Sequence, residues 1–246
     1  MSPRRAPSGS RPVPVEIRAH AFEQFGRPLA RARVTIVERP EVDLRTDREG
    51  RAVIDAHVGE VLTARLARDR YQSIQASSVV VPDEGLVGAD RAITLQVPLG
   101  VTFRLLRALL VEPRPGCHHV VTTVTAHGKT LADCPQGEPG AQIHLDAIDR
   151  DGEPVGGPPI YFGSLPWVHK TDFGRPLLAA FGLRAPLSTT SLDGGVVIPN
   201  VPPGRYRLRA SKPGVVFTSA EVEIRRCSPA LINVSPPHGP RVIATP

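Results

Sequence analysis

The sequence contains few aromatic residues, few cysteines and a single methionine. It has one Trp, one Met and three Cys in 246 residues, and aromatic residues make up 4%. The packing of a core must therefore rely on Val, Ile, Leu and Ala. Three cysteines are an odd number in a chain too long to require disulfide bridges for stability. The sequence leaves open whether any two of Cys117, Cys134 and Cys227 are bonded.

Long apolar runs are also missing. The richest, 101–111, is interrupted by Arg104 and Arg107, so we expect no integral membrane segment. The basic start of the chain is not followed by the apolar stretch that a secretion signal requires. As written, the sequence predicts a cytoplasmic protein. The cell envelope or the exterior is the alternative if the start is misassigned or export is non-classical.

Lysine is scarce although the chain is basic. The 30 basic residues exceed the 24 acidic ones by six, and only Lys129, Lys170 and Lys212 are lysines. Both signs of charge are spread along the chain, whereas a nucleic-acid binder concentrates its cations on one face. We therefore expect no nucleic-acid partner.

Glycine and proline are abundant, at 22 and 27 residues. Frequent turn residues exclude long helices and favour short strands. The pattern predicts an all-β chain with five parts: a disordered leader at 1–12, a β-sandwich at 13–111, a linker at 112–116, a second β-sandwich at 117–236 and a tail at 237–246. The linker prediction rests on Pro113 and Pro115, which favour extended backbone.

Similar turns recur in the same order in both predicted domains. A Gly-x-Pro turn at 26–28 corresponds to one at 137–139, and a Thr-to-Gly turn at 46–50 corresponds to one at 190–194. The two turns are 24 residues apart in the first domain (26 to 50) and 57 apart in the second (137 to 194). The second domain therefore carries an insertion at about 149–187.

These turns, followed by Pro-Gly-x-Tyr-x-Leu-x-Ala at 203–210, resemble the carboxypeptidase regulatory-like, or transthyretin-like, β-sandwich family. The resemblance implies two tandem Ig-like or transthyretin-like β-sandwiches joined by the short Pro-rich linker. It also implies that Tyr206 is packed and hydrogen-bonded. Domains of this family are accessory modules, many of them without activity of their own.

Enzymes on related sandwiches need residues that this chain lacks. Intradiol dioxygenases hold iron with two Tyr and two His, and no such Tyr–His cluster is present among Tyr71, Tyr161 and Tyr206. The Tyr-Arg-Gly-Ser end of hydroxyisourate hydrolases is absent as well. We therefore predict no catalytic residues and no cofactor, with a metal-dependent enzyme on a prealbumin-like sandwich as the second alternative.

The side chains that could bind a metal are concentrated in one region. They are Cys117, His118, His119, His127, Cys134 and His144. Adjacent strand residues point to opposite faces, so His118 and His119 cannot share one ion. The acidic run 149–153 has the character of a calcium loop, but a hairpin turn explains it more simply. We predict no metal site.

The insertion is the best indication of function because it is rich in aromatic residues. It holds five of the eleven in the chain, and an apolar loop of this length is usually functional. The predicted partner-binding residues are Tyr161, Phe162, Trp167, His169, Lys170 and Phe173. A protein partner is the main hypothesis, for a non-catalytic binding or scaffold protein, and a carbohydrate is the first alternative. The aromatic residues could instead form a small satellite core.

Overall fold

The structure is a computed structural model that describes residues 11–22, 27–131, 133, 135–149, 155–165, 170–172, 185–234 and 236–244. Within these residues almost all regular structure is β, which confirms the prediction of an all-β sandwich fold. The exception is helix α1 (Gly100–Leu110). The sequence pattern of 101–110 fits either a strand or a short helix, and the structure places it in α1.

The strands divide between the residues before and after α1. The first half contains β1 (Pro12–Ala21), β2 (Arg27–Pro28), β3 (Arg33–Ile36), β4 (Asp43–Arg45), β5 (Arg51–His57), β6 (Val61–Leu62), β7 (Ala64–Ala67), β8 (Ile74–Ala76), β9 (Val79–Val80) and β10 (Ile93–Val97). The second half contains β11 (His118–Thr123), β12 (Gln142–Ala147), β13 (Ile160–Tyr161), β14 (Gly163–Leu165), β15 (Lys170–Asp172), β16 (Gly195–Val201), β17 (Gly204–Ser211), β18 (Val216–Phe217), β19 (Ser219–Ile224), β20 (Leu231–Val234) and β21 (Val242–Ala244).

Both halves pair their strands in the same order. In the first half β1 pairs antiparallel with β5 and parallel with β10, and β7 lies between β3 and β8. In the second half β11 pairs antiparallel with β16 and parallel with β20, and β17 lies between β12 and β19. Each half therefore has one group of strands around its first long strand and a second antiparallel group.

A buried threonine closes the first of the repeated turns. The hydroxyl of Thr46 donates to the carbonyl of Leu29 (2.6 Å) and accepts the N–H of Ala32 (2.9 Å). Gly50 follows with a φ of 74°, and its carbonyl accepts the N–H of Ala19 (2.8 Å). Because the hydroxyl satisfies two backbone groups at once, it fixes the connection between β3 and the turn.

The second half contains the same arrangement. The hydroxyl of Thr190 donates to the carbonyl of Glu138 (2.5 Å) and accepts the N–H of Ala141 (2.9 Å). Gly194 has a φ of 75°, and its carbonyl accepts the N–H of Val124 (2.9 Å). The predicted correspondence between the turns at 46–50 and 190–194 is therefore present in the hydrogen bonds.

These bonds also locate the insertion. The residues joined by the threonine hydroxyl, Ala32 and Thr46, are 14 positions apart in the first half. Their counterparts, Ala141 and Thr190, are 49 positions apart. The extra residues thus follow β12, within the range predicted for the insertion, and they include β13, β14 and β15.

Alternating side chains on the strands form two apolar clusters. The burial of β5 alternates strictly between exposed and buried residues, as expected for a strand that covers a core on one face. One cluster belongs to the first half, apart from Leu231, and the other belongs to the second half. Tyr206 lies in the second cluster, and its hydroxyl donates to the carbonyl of Pro202 (2.7 Å), as the sequence predicts.

A single sheet runs through both halves. The strand order of this sheet is β13-β16-β11-β20-β8-β7-β3-β4. Strands of the two halves of the chain meet where β20 pairs parallel with β8. The sequence predicts two sandwiches joined by a short linker, and the linker is not the only connection. The domain boundaries themselves stay a prediction.

Polar side chains surround this meeting of strands. Gln75 on β8 is buried, and its amide donates to the carbonyl of Glu223 (2.8 Å). Its side-chain oxygen accepts from the hydroxyl of Ser228 (2.9 Å) and from Nε of Arg65 (3.0 Å). Arg65 also donates to Ser228 (3.2 Å). These bonds join the two halves and satisfy the polar atoms that the joined sheet buries.

The linker and the end of the chain are both bound to the second half. Asn200, with a φ of 57°, donates to the carbonyl of Glu112 (3.0 Å) and accepts the N–H of Arg114 (3.0 Å). The predicted tail at 237–246 contains β21, which pairs with β18. Pro12, assigned to the leader by the sequence, is the first residue of β1, and residues 1–10 lie outside the described range.

We expect Gly50→Ala to destabilise the protein more than Gly59→Ala. Both glycines have a positive φ, so both variants carry the cost of a left-handed alanine. A Cβ at Gly50 would lie 2.6 Å from the carbonyl oxygen of Ala19, whereas a Cβ at Gly59 meets nothing within 4 Å. In urea denaturation, the free energy of unfolding of Gly50→Ala should be about 2 kcal/mol lower than that of Gly59→Ala. Equal losses would mean that the turn at 46–50 can relax.

We expect Gln75→Leu to lower the free energy of unfolding by roughly 2 kcal/mol, because it removes the donor to the carbonyl of Glu223 and the acceptor shared by the Ser228 hydroxyl and Nε of Arg65. Gln72→Leu is the matched control, since the Gln72 amide donates only to the neighbouring carbonyl of Ser73. Urea titrations of both variants test this prediction. An unchanged midpoint in Gln75→Leu would show that the halves do not depend on these bonds.

Candidate functional site

The insertion begins with a strand that covers an edge of the sheet. In β13, Ile160 pairs with Val197 and Tyr161 with Val196, so β13 is the strand next to β16. The hydroxyl of Tyr161 accepts the N–H of Ile143 on β12 (3.1 Å). Tyr161 therefore joins the two groups of strands of the second half.

Phe162 continues this attachment. Its N–H donates to the carbonyl of Gly195 (3.0 Å), and its carbonyl accepts from the hydroxyl of Ser191 (2.9 Å). A Cβ at Gly195 would lie 3.1 Å from the Phe162 ring, so the ring packs directly on that glycine. Tyr161 and Phe162 are each 7% exposed. The Tyr161 side chain thus belongs to the apolar cluster of the second half, and Phe162 packs on β16. A role of either residue in binding a partner stays a prediction.

A hairpin follows these two residues. In it β14 pairs antiparallel with β15, with Gly163 opposite Asp172 and Leu165 opposite Lys170. Within the described residues the two strands pair only with each other. Lys170 is the first residue of β15. The predicted residues Trp167 and His169, in the connection 166–169, and Phe173, which follows the hairpin, lie outside the described residues.

Three of the four histidines considered as possible metal ligands have structural contacts, and His127 is exposed. His118 and His119 are buried on β11. His144 on β12 makes a hydrogen bond with the hydroxyl of Ser211 (2.9 Å). No group of three His, Cys, Asp or Glu side chains that could hold a metal occurs among the described residues, which exclude Cys134 and most of the acidic run 149–153.

The two adjacent histidines have different surroundings. Nδ1 of His118 carries a proton, because it lies 2.9 Å from the carbonyl of Pro229, which can only accept. Nδ1 of His119 accepts the N–H of Asn200 (3.4 Å), and its ring meets the edge of the Phe103 ring of α1 at a centroid distance of 5.9 Å. Burial, with the positive charge of Arg107 and with His118 nearby, lowers the pKa of His119 to about 4.

The arginines of β17 are matched by carboxylates on both neighbouring strands. Arg205 and Arg207 lie 3.7 Å and 3.4 Å from Glu221 on β19. Arg209 forms an ion pair with Asp146 on β12. This face therefore offers paired charges instead of an unpaired cationic row, the feature that a nucleic-acid surface would need.

Comparison with known proteins gives no family. No protein-family model matches the chain, and no curated protein sequence matches it. Among solved structures it is similar to the TIE protein of Bacillus anthracis, with 11% identity and a TM-score of 0.27, covering 94% of this chain and 34% of that one. It is also similar to GBS52, the minor pilin of Streptococcus agalactiae, with 10% identity and a TM-score of 0.28, covering 95% of this chain and 98% of that one.

A streptococcal ancillary pilin gives 10% identity and a TM-score of 0.29, covering 94% of this chain and 69% of that one. This chain thus spans about a third of the length of the TIE protein and most of the two pilins. With identities near 10%, these likenesses do not say what the chain binds. No helix in the described residues is long and apolar enough to cross a membrane.

We expect the folded state to lose stability between pH 7 and pH 4.5 through His119. Its pKa of about 4 in the folded chain lies below the ordinary value of 6.5, so the unfolded chain binds the proton first as the pH falls. The contribution of His119 is complete above pH 6.5 and is lost as the pH falls towards 4. The difference between the two pKa values corresponds to a loss of about 2 kcal/mol in the free energy of unfolding at pH 4.5.

Urea denaturation at the two pH values measures this loss. His119→Gln keeps an acceptor for the N–H of Asn200 and removes the titration, so its stability should change less with pH. His57→Gln is the control, because His57 is exposed on β5. The same pH dependence in His119→Gln and in the unmodified chain would contradict the prediction.

Proposed function

We propose that the protein is a non-catalytic scaffold of two β-sandwich modules that binds another protein through the hairpin of its insertion. The observation that carries this proposal is the attachment of the hairpin. Tyr161 and Phe162 fix its base by burial and by hydrogen bonds to β12, Ser191 and Gly195. The hairpin that leads to Trp167 therefore leaves the sheet from an anchored base, as a recognition loop requires.

The residues in and after this connection suit a protein partner. Tryptophan is enriched among the residues that dominate the affinity of protein interfaces. Lys170 and His169 would supply polar contacts around Trp167, and Phe173 would extend the apolar area. The sequence also lacks the iron-binding and hydrolase motifs of enzymes on related sandwiches, which supports a binding role.

We also propose that the halves are two copies of one carboxypeptidase regulatory-like module. The identical order of strand pairing and the threonine-closed turns support this origin. Only the second copy carries the insertion, so the first copy would act as a support for the second. Binding would then be a property of one module within a rigid pair.

We expect Trp167→Ala to weaken the capture of a protein partner from native lysate at least tenfold, a loss typical of an interface residue of this kind. Trp167→Phe should retain part of the binding, since it keeps an aromatic ring. Val216→Ala, which changes a 54% exposed residue of β18, is the control and should bind normally.

Trp167 is the single tryptophan, so its fluorescence reports on the hairpin directly. Emission that shifts on addition of the captured protein would support the proposal. A shift with glycans and not with that protein would favour the carbohydrate alternative. Unchanged capture by a folded Trp167→Ala variant would exclude the hairpin as the binding site.

A further inference from the structure

Helix α1 has a wide apolar face and yet lies on the surface. Its sequence GVTFRLLRALL has two arginines and no acidic residue, and none of its eleven residues is buried. The apolar face of a helix is normally packed against protein. The fold of this chain encloses only one side of it.

The enclosed side of α1 is attached to the first half and to β11. Phe103 packs against the apolar cluster of the first half and meets the His119 ring. The N–H of Gly100 donates to the carbonyl of Arg70 (2.8 Å). The helix is thus held in place before any partner binds, which lowers the entropic cost of binding.

The opposite side of α1 presents a row of aliphatic side chains. Val101, Leu105 and Leu109 are 61%, 56% and 42% exposed. Residues four apart lie above one another on a helix, so the three form one row about 12 Å long. We call these three residues the α1 row. Ala108, which is also exposed beside it, leaves room for a close approach.

A groove lies at the end of the helix. The groove has a volume of about 610 Å³. Its polar lining residues are Glu112, Arg114 and Asn200, and its apolar ones are Leu110, Val111, Pro113, Pro115, Pro158, Ile160 and Pro199. Leu110 directly follows the last residue of the α1 row. Asn200 binds the linker backbone on one side of the groove, so this wall is already ordered.

The charges around the α1 row select the partner. Arg104 is exposed next to Leu105, Arg107 is half-buried, and the helix has no carboxylate to neutralise them. A second copy that packed its α1 row on the first would bring Arg104 against Arg104, which costs energy. A bilayer surface also fits less well, because interfacial helices carry a polar face rich in Lys and Arg, whereas α1 has one exposed and one half-buried arginine.

We propose that the α1 row and the adjoining groove bind an amphipathic helix of another protein, in which acidic residues flank apolar residues spaced three and four apart. The apolar residues cover Val101, Leu105 and Leu109, and the carboxylates pair with Arg104 and Arg107. This surface is independent of the hairpin, so neither proposal requires the other.

A synthetic peptide of about 15 residues tests the chemistry, with leucine at every third or fourth position and glutamate beside it. A second peptide carries lysine in place of each glutamate. Fluorescence anisotropy with the full chain should show the glutamate peptide binding at least tenfold more tightly than the lysine peptide. Leu105→Asp and Leu105→Gln should each weaken the binding at least tenfold. Arg104→Glu should reduce the preference for glutamate.

Val80→Asp is the matched control, because Val80 is 61% exposed, close to the 56% of Leu105, but lies on β9. Equal affinity for both peptides, or equal loss in Val80→Asp and Leu105→Asp, would overturn the proposal. So would sedimentation that shows a dimer broken by Leu105→Asp, which would make a second copy the partner. Binding of phosphatidylcholine–phosphatidylserine vesicles, lost in Leu105→Gln and without peptide binding, would assign the row to a membrane surface.

Discussion

The pairing of β20 with β8 determines the relation between the two halves, because it puts strand backbone and polar side chains of both into one interior. Burying the Gln75 amide there without partners would cost free energy, because the amide would lose its hydrogen bonds to water. Arg65 from the first half and Ser228 from the second satisfy it together. The connection is therefore polar and specific in register, in contrast to a simple apolar contact that could slide.

The two halves protect corresponding sheet edges by different means. In the first half the edge of β5 is closed locally, where the N–H of Arg51 donates to the Asp47 carboxylate (2.8 Å) and Arg39 donates to the carbonyl of Asp55 (2.7 Å). In the second half β13 covers the edge of β16. Since exposed edges invite unwanted pairing, the first residues of the insertion have a structural task that is separate from recognition.

Turns were predictable from the sequence because they require particular residues, such as a glycine with a positive φ. The threonine and glycine of 46–50 and 190–194 are visible as letters, and they make equivalent bonds. The matching of 26–28 with 137–139 was wrong in register, because the residues that accept from the two threonine hydroxyls are Leu29 and Glu138. Gly26 lies outside the described residues.

The pairing of β20 with β8 joins residues far apart in sequence, and no local pattern marks it. An apolar segment such as 101–110 fits a strand or a helix equally.

The candidate surfaces meet where the insertion leaves the sheet. Ile160 pairs with Val197 in β13 and also lines the groove at the end of α1, and Pro158 lines the same groove. The next residues, Tyr161 and Phe162, fix the base of the hairpin. His119 meets the Phe103 ring of α1 and accepts the N–H of Asn200, so the residue that orders the other wall of the groove is packed beside the helix. The first residues of the insertion thus supply part of the groove at the end of α1.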